Sequence, residues 1–341
     1  MTVTTWTSPL LDRPGAVPAE GFDTGVALHY GDPLREQRRL TEDVGWVDRS
    51  HRDVLVVPGA DRLSWLHSLT SQHLTELPDG RAIEALVLSP HGHVEHHLLV
   101  TEVGGTTWLD VEPGTGPELL SFLDSMRFLL RVDPQDVSPE WAVVSLVGPR
   151  TGPVLAGLGV DVPEPYDVQE FQTGWVRRMP WPGADAADLM VPADALADTV
   201  ARLSDAGAGA AGTWAYEAIR VQDRRPRMRM ETDHRTIPHE VGWLETAVHL
   251  NKGCYRGQET VARVHNLGRP PRRLVLLHLD GTTESLPATG DPVLLDGRQV
   301  GFVTTASRHH ELGPVALALV KRNTPDDAQL RTGELAAAID R

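Results

Sequence analysis

The chain has 341 residues, 40% of them apolar, with 31 glycines and 26 prolines, which allows two or three domains with sizeable cores and many turns. Its formal net charge of −15 argues against a general nucleic-acid or anionic-membrane surface, because both need a positive field. A single cysteine, Cys254, excludes an internal disulfide and a protein-borne cluster of four thiolates, and it fits a reducing compartment.

Residues 1–20 carry Pro9, Pro14 and Pro18 and read as a loose arm. The opening MTVTTWTSPLLDRPG has no basic segment followed by an apolar run, so no signal peptide is expected. No apolar run approaches the roughly 18–20 residues that span a bilayer, and the expected location is cytoplasmic. DVLVVPGA (53–60) predicts a strand and turn, and DRLSWLHSLTSQHL (61–74) an amphipathic helix. RAIEALVLSP, HVEHHLLVTEV and TTWLDVEP predict three strands, and PELLSFLDSMRFLLRV (117–132) a helix with Pro117 in its first turn. EWAVVSLVGP, VQEFQTGWVRRM and DLMVP continue the strands, while TGPVLAGLG, 193–207 and 213–223 read as helices. Beyond the proline-rich joint at 269–271 the helical pattern ends. Asp296–Gly297 between two apolar runs is a hairpin signal, so 269–341 reads as a small β-barrel.

Two constellations carry chemistry. HLNKGCYRGQET (249–260) places Cys254 between Lys252 and Arg256, on a loop that Gly253 and Gly257 allow to bend. Adjacent cations favour the reactive thiolate, while a buried structural cysteine is the plainer alternative. SPHGHVEHHLLV (89–100) holds His91, His93, His96 and His97, four of fifteen histidines. Strand alternation puts His96 with Val94 and Leu98 on the apolar face, and His93 with His97 on the other. Positions four apart on a strand lie about 13 Å apart, so His93 and His97 need a bend to share an ion. A metal or haem binder on this strand is one alternative, and a polar strand face is the other. The run RVQDRRPRMRM reads either as an anion site or as ion pairs to the excess carboxylates. Trp65, Trp243 and Tyr255 are candidates for stacking on a planar ligand, against the commoner role of packing.

The segment Lys252 to Glu259, K-G-C-Y-R-G-Q-E, resembles the signature of the YgfZ family, which is related in fold to the glycine-cleavage aminomethyltransferase. Ile237-Pro238 with Glu240, Val261-Ala262-Arg263, Gly268 and GADRLSWLHSLTSQHL extend the likeness to roughly residues 25–325. The resemblance implies an α+β three-domain cloverleaf with two α+β lobes over 21–268 and a C-terminal β-barrel. The lobe boundary is expected near 135, with interleaving left open. It implies a folate channel, tetrahydrofolate as cofactor, and a role with iron–sulfur enzymes or their assembly proteins, without nucleic acid or membrane. Cys254 and Lys252 would be the working residues, and Tyr255, Gly257, Gln258 and Glu259 would complete the motif. Cys254 is expected to serve redox or ligand exchange. Two stretches depart from the transferase branch. His96–His97 stand where that branch has an aspartate pair, and Gln222 stands where it has a glutamate that holds the pterin. An imidazole can still act as acid or base near neutrality. Gln222 offers one acceptor oxygen instead of two. Arg272 and Arg273 are candidates for a folate's glutamate tail. A folate-dependent one-carbon transferase or demethylase, with His96 as acid–base, is the rival reading, so whether the chain is an enzyme stays open.

Overall fold

The apolar runs of the sequence become two large sheets and a barrel in the computed structural model of the protein, which describes residues 6–183, 185–282 and 284–340. The six-stranded sheet has the order Val168–Phe171, Gly174–Met179, Ala186–Pro192, Trp141–Val147, Gly45–Asp48, Gly209–Ala211. Its pairs are antiparallel except the last, which is parallel. The five-stranded sheet has the order Arg81–Leu88, Val94–Val103, Thr106–Val111, Asp53–Pro58, Gln135–Asp136. The barrel closes through Arg272–Leu279, Gly313–Lys321, Arg298–His309, Pro292–Leu295, Leu330–Thr332 and Leu335–Ile339. Its interior follows a period of two, with Val275, Leu277 and Leu279 from the first strand and Ala316, Ala318 and Val320 from another. The Asp296–Gly297 hairpin forms as expected, with φ of +50° and +77°.

The chain divides into two units of interleaved segments. One comprises residues up to 68 with 73–84 and 98–216, and the other 69–72, 85–97 and 217–341. The divisions therefore fall at several places along the chain. In the first unit, helix Leu196–Asp205 places Leu196, Val200 and Leu203 on a core with Trp46, Val144 and Leu146. Each such fully buried side chain contributes about 1.5–3 kcal/mol.

Three expectations need correction. Residues 1–5 of the expected arm lie outside the described residues, but 6–20 are not loose. Ser8 Oγ donates to Asp48 at 2.5 Å and Leu10 is 1% exposed in the core. The helix expected over 117–132 spans only Gly116–Ser125. Trp65 Nε1 donates to Met126 O at 2.9 Å, Phe128 adopts φ +46°, and Asp61 accepts from the backbone and side chain of Arg131. These contacts divert the chain before the apolar pattern ends. The helix expected over 61–74 stops at Leu69. Beyond it, Ser71 N donates to Leu86 O and Ser71 Oγ accepts from Leu86 N, so the chain takes up strand-like pairing. Helices Pro33–Glu42 and Gln258–Leu267 were not anticipated, although Asp32 followed by Pro33 is a start signal on the sequence. Asp32 Oδ1 accepts from Arg35 N at 3.0 Å.

Two buried ion networks replace simple apolar packing. In the first unit, Arg177 donates to Asp110 at 2.5 and 3.0 Å and to Asp188 at 2.9 Å. Arg52 joins Asp110 to Glu112, and Ser145 joins Asp188 to Arg49. Burial opposes the charged forms, but Asp110 and Asp188 hold Arg177 above its ordinary value. In the second unit, Arg220 pairs with Glu217 and Glu231, Arg227 with Glu217, and Arg224 with Asp340. For these three, the ion-pair reading of the arginine run describes the structure.

Candidate functional site

The signature is a loop followed by a helix. Gly257, at φ +81°, precedes helix Gln258–Leu267. A Cβ added there would lie 2.6 Å from Ser89 O and 2.8 Å from Gly92 Cα. One on Gly92 would meet Thr260 Cβ at 2.8 Å. The motif's second glycine is thus required twice, by its backbone conformation and by the close approach of the histidine hairpin. Gly253 has ordinary φ and open space around it, so the bend expected of both glycines belongs to Gly257 alone. Gly257→Ala is expected to cost about 1–3 kcal/mol from conformation alone, before the clash. Gly253→Ala should stay within about 0.5 kcal/mol. Denaturant unfolding of both variants checks this, and equal effects would contradict it.

Lys252 anchors the loop. It is 5% exposed, and its ammonium donates to Thr70 O at 2.7 Å and Gln72 O at 3.0 Å. Ser71, between those two acceptors, donates to Ala247 O at 2.6 Å, and His249 N donates to Ser71 O. The chain around 247–252 is therefore fastened to 70–72 on both sides. Gln258 Nε2 donates to Lys252 O at 3.2 Å, tying the helix back to the loop. Tyr255 is buried with Leu86, Leu88, Val94 and Trp243, and the Lys252 ammonium lies 5.3 Å over its ring. Burial pushes the Tyr255 phenol up to about 12 and pulls Lys252 down to about 8.

The lysine shift has a signed consequence. In the unfolded chain the amine titrates near 10.4. Between pH 8 and 10.4 the unfolded chain binds more protons, so the Lys252 contribution to stability rises with pH there, by at most about 1.4 kcal/mol per unit. Unfolding of wild type and Lys252→Met at pH 7.5 and 9.5 reads this directly. Wild type should gain on the variant at the higher pH. A constant gap would mean that the two carbonyls hold the ammonium at its ordinary value.

The two constellations of the sequence meet in this unit. His97 stacks on Trp243 at 4.5 Å and 10°, and Trp243 belongs to the same apolar cluster as Tyr255. Glu95 accepts from Arg256 at 2.8 Å. His96 lies on the buried face with Val94 and Leu98, as alternation predicts, and is 9% exposed. Among the described residues no group of three or more His, Cys, Asp or Glu is arranged to hold a metal. Cys254 and Glu259 are exposed. Trp65 and Trp243 are core residues with no broad exposed face.

The remaining candidates stand elsewhere in the fold. Gln222 ends helix Thr213–Gln222 and is half-buried. Arg272 and Arg273 open the first barrel strand. The Arg272 guanidinium is bonded to both Asp233 and Glu240, and Glu240 also accepts from Ile237 N. That places Arg272 as a brace of the Ile237–Glu240 segment. Arg273 pairs with Asp326 and Thr324 O, while its Nε is buried without a partner. The clamp on 70–72 was not legible in the sequence, because both of its acceptors are backbone carbonyls.

No helix among the described residues is long and apolar enough to cross a membrane. The profile of the GCVT N-terminal domain matches residues 16–252, and that of the glycine cleavage T-protein C-terminal barrel domain matches 272–339. The chain is 27% identical over 268 residues to a putative chloroplastic transferase of Arabidopsis thaliana, covering 76% of this chain and 61% of that protein. It is 27% identical over 332 residues to an aminomethyltransferase of Thermotoga neapolitana, covering 92% and 90% of the two chains. Its fold is similar to that of the glycine cleavage system aminomethyltransferase T from Bartonella henselae, with a TM-score of 0.86 and 19% identity over 96% of this chain and 93% of the other. The α+β architecture with a C-terminal barrel is thus an aminomethyltransferase-like fold, and the chain belongs to the glycine cleavage T-protein family.

Proposed function

We propose that this protein is a folate-binding accessory factor of the YgfZ branch, acting in the cytoplasm on the assembly or repair of iron–sulfur enzymes. The observation that carries this reading is the presentation of Cys254. It is an exposed thiol on a loop that Lys252, Gln258 and Gly257 hold in one conformation. A thiol so displayed suits exchange with a large partner, whose own ligands complete what one thiolate cannot hold. His96 and His97 in place of an aspartate pair weigh in the same direction, because an imidazole supplies no fixed negative charge.

Support for a folate comes from the unpartnered Nε of Arg273. The orphaned Arg273 Nε would hold a carboxylate of the glutamate tail, and Gln222 would accept one hydrogen bond from the pterin. When bound, a reduced folate supplies a carrier for a one-carbon unit. Calorimetric titration with tetrahydrofolate tests this. Wild type should bind, and Gln222→Glu, with its second acceptor, should bind about tenfold tighter, as for a hydrogen bond to a charged group. Absence of binding to both would remove folate from the reading.

The likeness to aminomethyltransferases over nearly the whole chain favours a second reading, a folate-dependent one-carbon transferase or demethylase with His96 as acid–base. Turnover of methylated amines by purified protein with tetrahydrofolate separates the two. Turnover abolished by His96→Ala supports the enzyme, and no turnover across a broad amine panel counts against it.

A further inference from the structure

A groove of about 380 Å³ in the first unit carries chemistry that the signature loop does not use. Trp108, Trp141 and Trp175 line it, with Glu170 on its wall. The planes of Trp108 and Trp141 stand at 79° with centroids 4.7 Å apart, and those of Trp108 and Trp175 at 79° and 6.1 Å. Trp108 and Trp141 are half-buried, so each leaves indole surface in the groove, and Glu170 is exposed beside them. Trp175 is 2% exposed, and its indole N–H is buried without an acceptor.

The hairpin Val168–Met179 forms one wall. A Cβ on Gly174 would lie 1.9 Å from Met190 O, so the pairing with strand Ala186–Pro192 requires glycine there, and it would stand at ordinary contact distance, 3.4 Å, from Trp141 Cζ3. Gln172, at φ +53°, is the first residue of the two-residue loop between Phe171 and Gly174. Glycine or asparagine is the usual choice for that conformation. A strained residue held at the mouth of a tryptophan-lined groove is a reason to look for a ligand.

Indole faces are electron-rich, and the indole surface left exposed by this edge-to-face packing, beside one carboxylate, favours a cation over an anion or a neutral molecule. The net charge of −15 acts in the same sense. A primary ammonium is strongly hydrated and needs several acceptors, whereas a methylated ammonium loses water cheaply and presents apolar surface to the rings. We propose that this groove binds a trimethylammonium group, held on Trp108 and Trp141 and paired with Glu170.

Calorimetric titration of the full chain with choline and with 3,3-dimethylbutanol, its uncharged isostere, tests this. Choline should bind at least fivefold more tightly than the alcohol. Trp141→Ala and Glu170→Gln should each weaken choline at least fivefold. Glu170 is exposed, so its variant keeps the test valid if Trp141→Ala unfolds. A trimethyl-lysine peptide titrated alongside distinguishes a modified chain from a small free ion as the source of the group. Choline binding no better than the alcohol, binding unaffected by Glu170→Gln, or no binding of choline and peptide alike would overturn the proposal.

Discussion

Replacing Arg177 with leucine is expected to destabilise the protein by about 3–5 kcal/mol, the usual cost of removing one partner from a buried ion pair. Arg177 is fully buried and bridges Asp110, on strand Thr106–Val111, to Asp188, on strand Ala186–Pro192. Without it, Asp188 retains Ser145 and Asp110 retains Arg52, but each carboxylate loses its closest cation inside the protein. At roughly 2–4 °C per kcal/mol, the melting temperature should fall by on the order of 10 °C. Arg177→Lys should recover little, because an ammonium cannot make the paired fork to two carboxylates. Arg224→Ala is the control. Its pair with Asp340 is partly exposed and should contribute under about 1 kcal/mol. Scanning calorimetry of the three variants checks the order, and an Arg177→Leu loss no larger than that of Arg224→Ala would show that the network does not hold the first unit together.

Cys254→Ala is expected to abolish function while leaving stability unchanged. The thiol is exposed, so its loss opens no cavity, and an exposed substitution of this kind stays within about 0.5 kcal/mol. On the proposed iron–sulfur role, the variant should restore less than about a tenth of the wild-type effect on iron–sulfur enzyme activity in a strain lacking the gene, since a thiolate ligand or nucleophile has no substitute in alanine. Cys254→Ser, which keeps the size and loses most of the nucleophilicity and metal affinity, should resemble alanine. Full restoration by either variant would remove Cys254 from the working site. Lys252→Met gives the contrasting case, because its defect should appear in stability as well as activity.

What was legible in the sequence was what depends on local pattern. Strand alternation put His96 beside Val94 on the buried face, and the Asp296–Gly297 pair marked a hairpin inside the barrel. The eight-residue signature points to the superfamily, because its composition is specific and contiguous. The helix after it has weaker marks in the sequence, although Gly257 and Gly268, both in the left-handed region, bracket it. The over-long helix at 117–132 shows the opposite error. Its apolar run continues past Ser125, but the tethers to Trp65 and Asp61 come from residues 61 and 70 positions away.

The sequence by itself determined the class of the fold and the barrel, since each rests on periodicity or on a contiguous motif. Only the tertiary structure decided what the motif's residues do. It turned Lys252 onto two backbone carbonyls, set Gly257 against the histidine hairpin, and engaged Arg272 with Asp233 and Glu240. It also assembled the tryptophan groove from Trp108, Trp141 and Trp175, which lie on three different strands. The physical reason is common to all of these. Backbone acceptors have no signature in residue type, and the partner that satisfies a buried charge or shapes a groove is fixed by sheet order, which joins strands far apart in the chain.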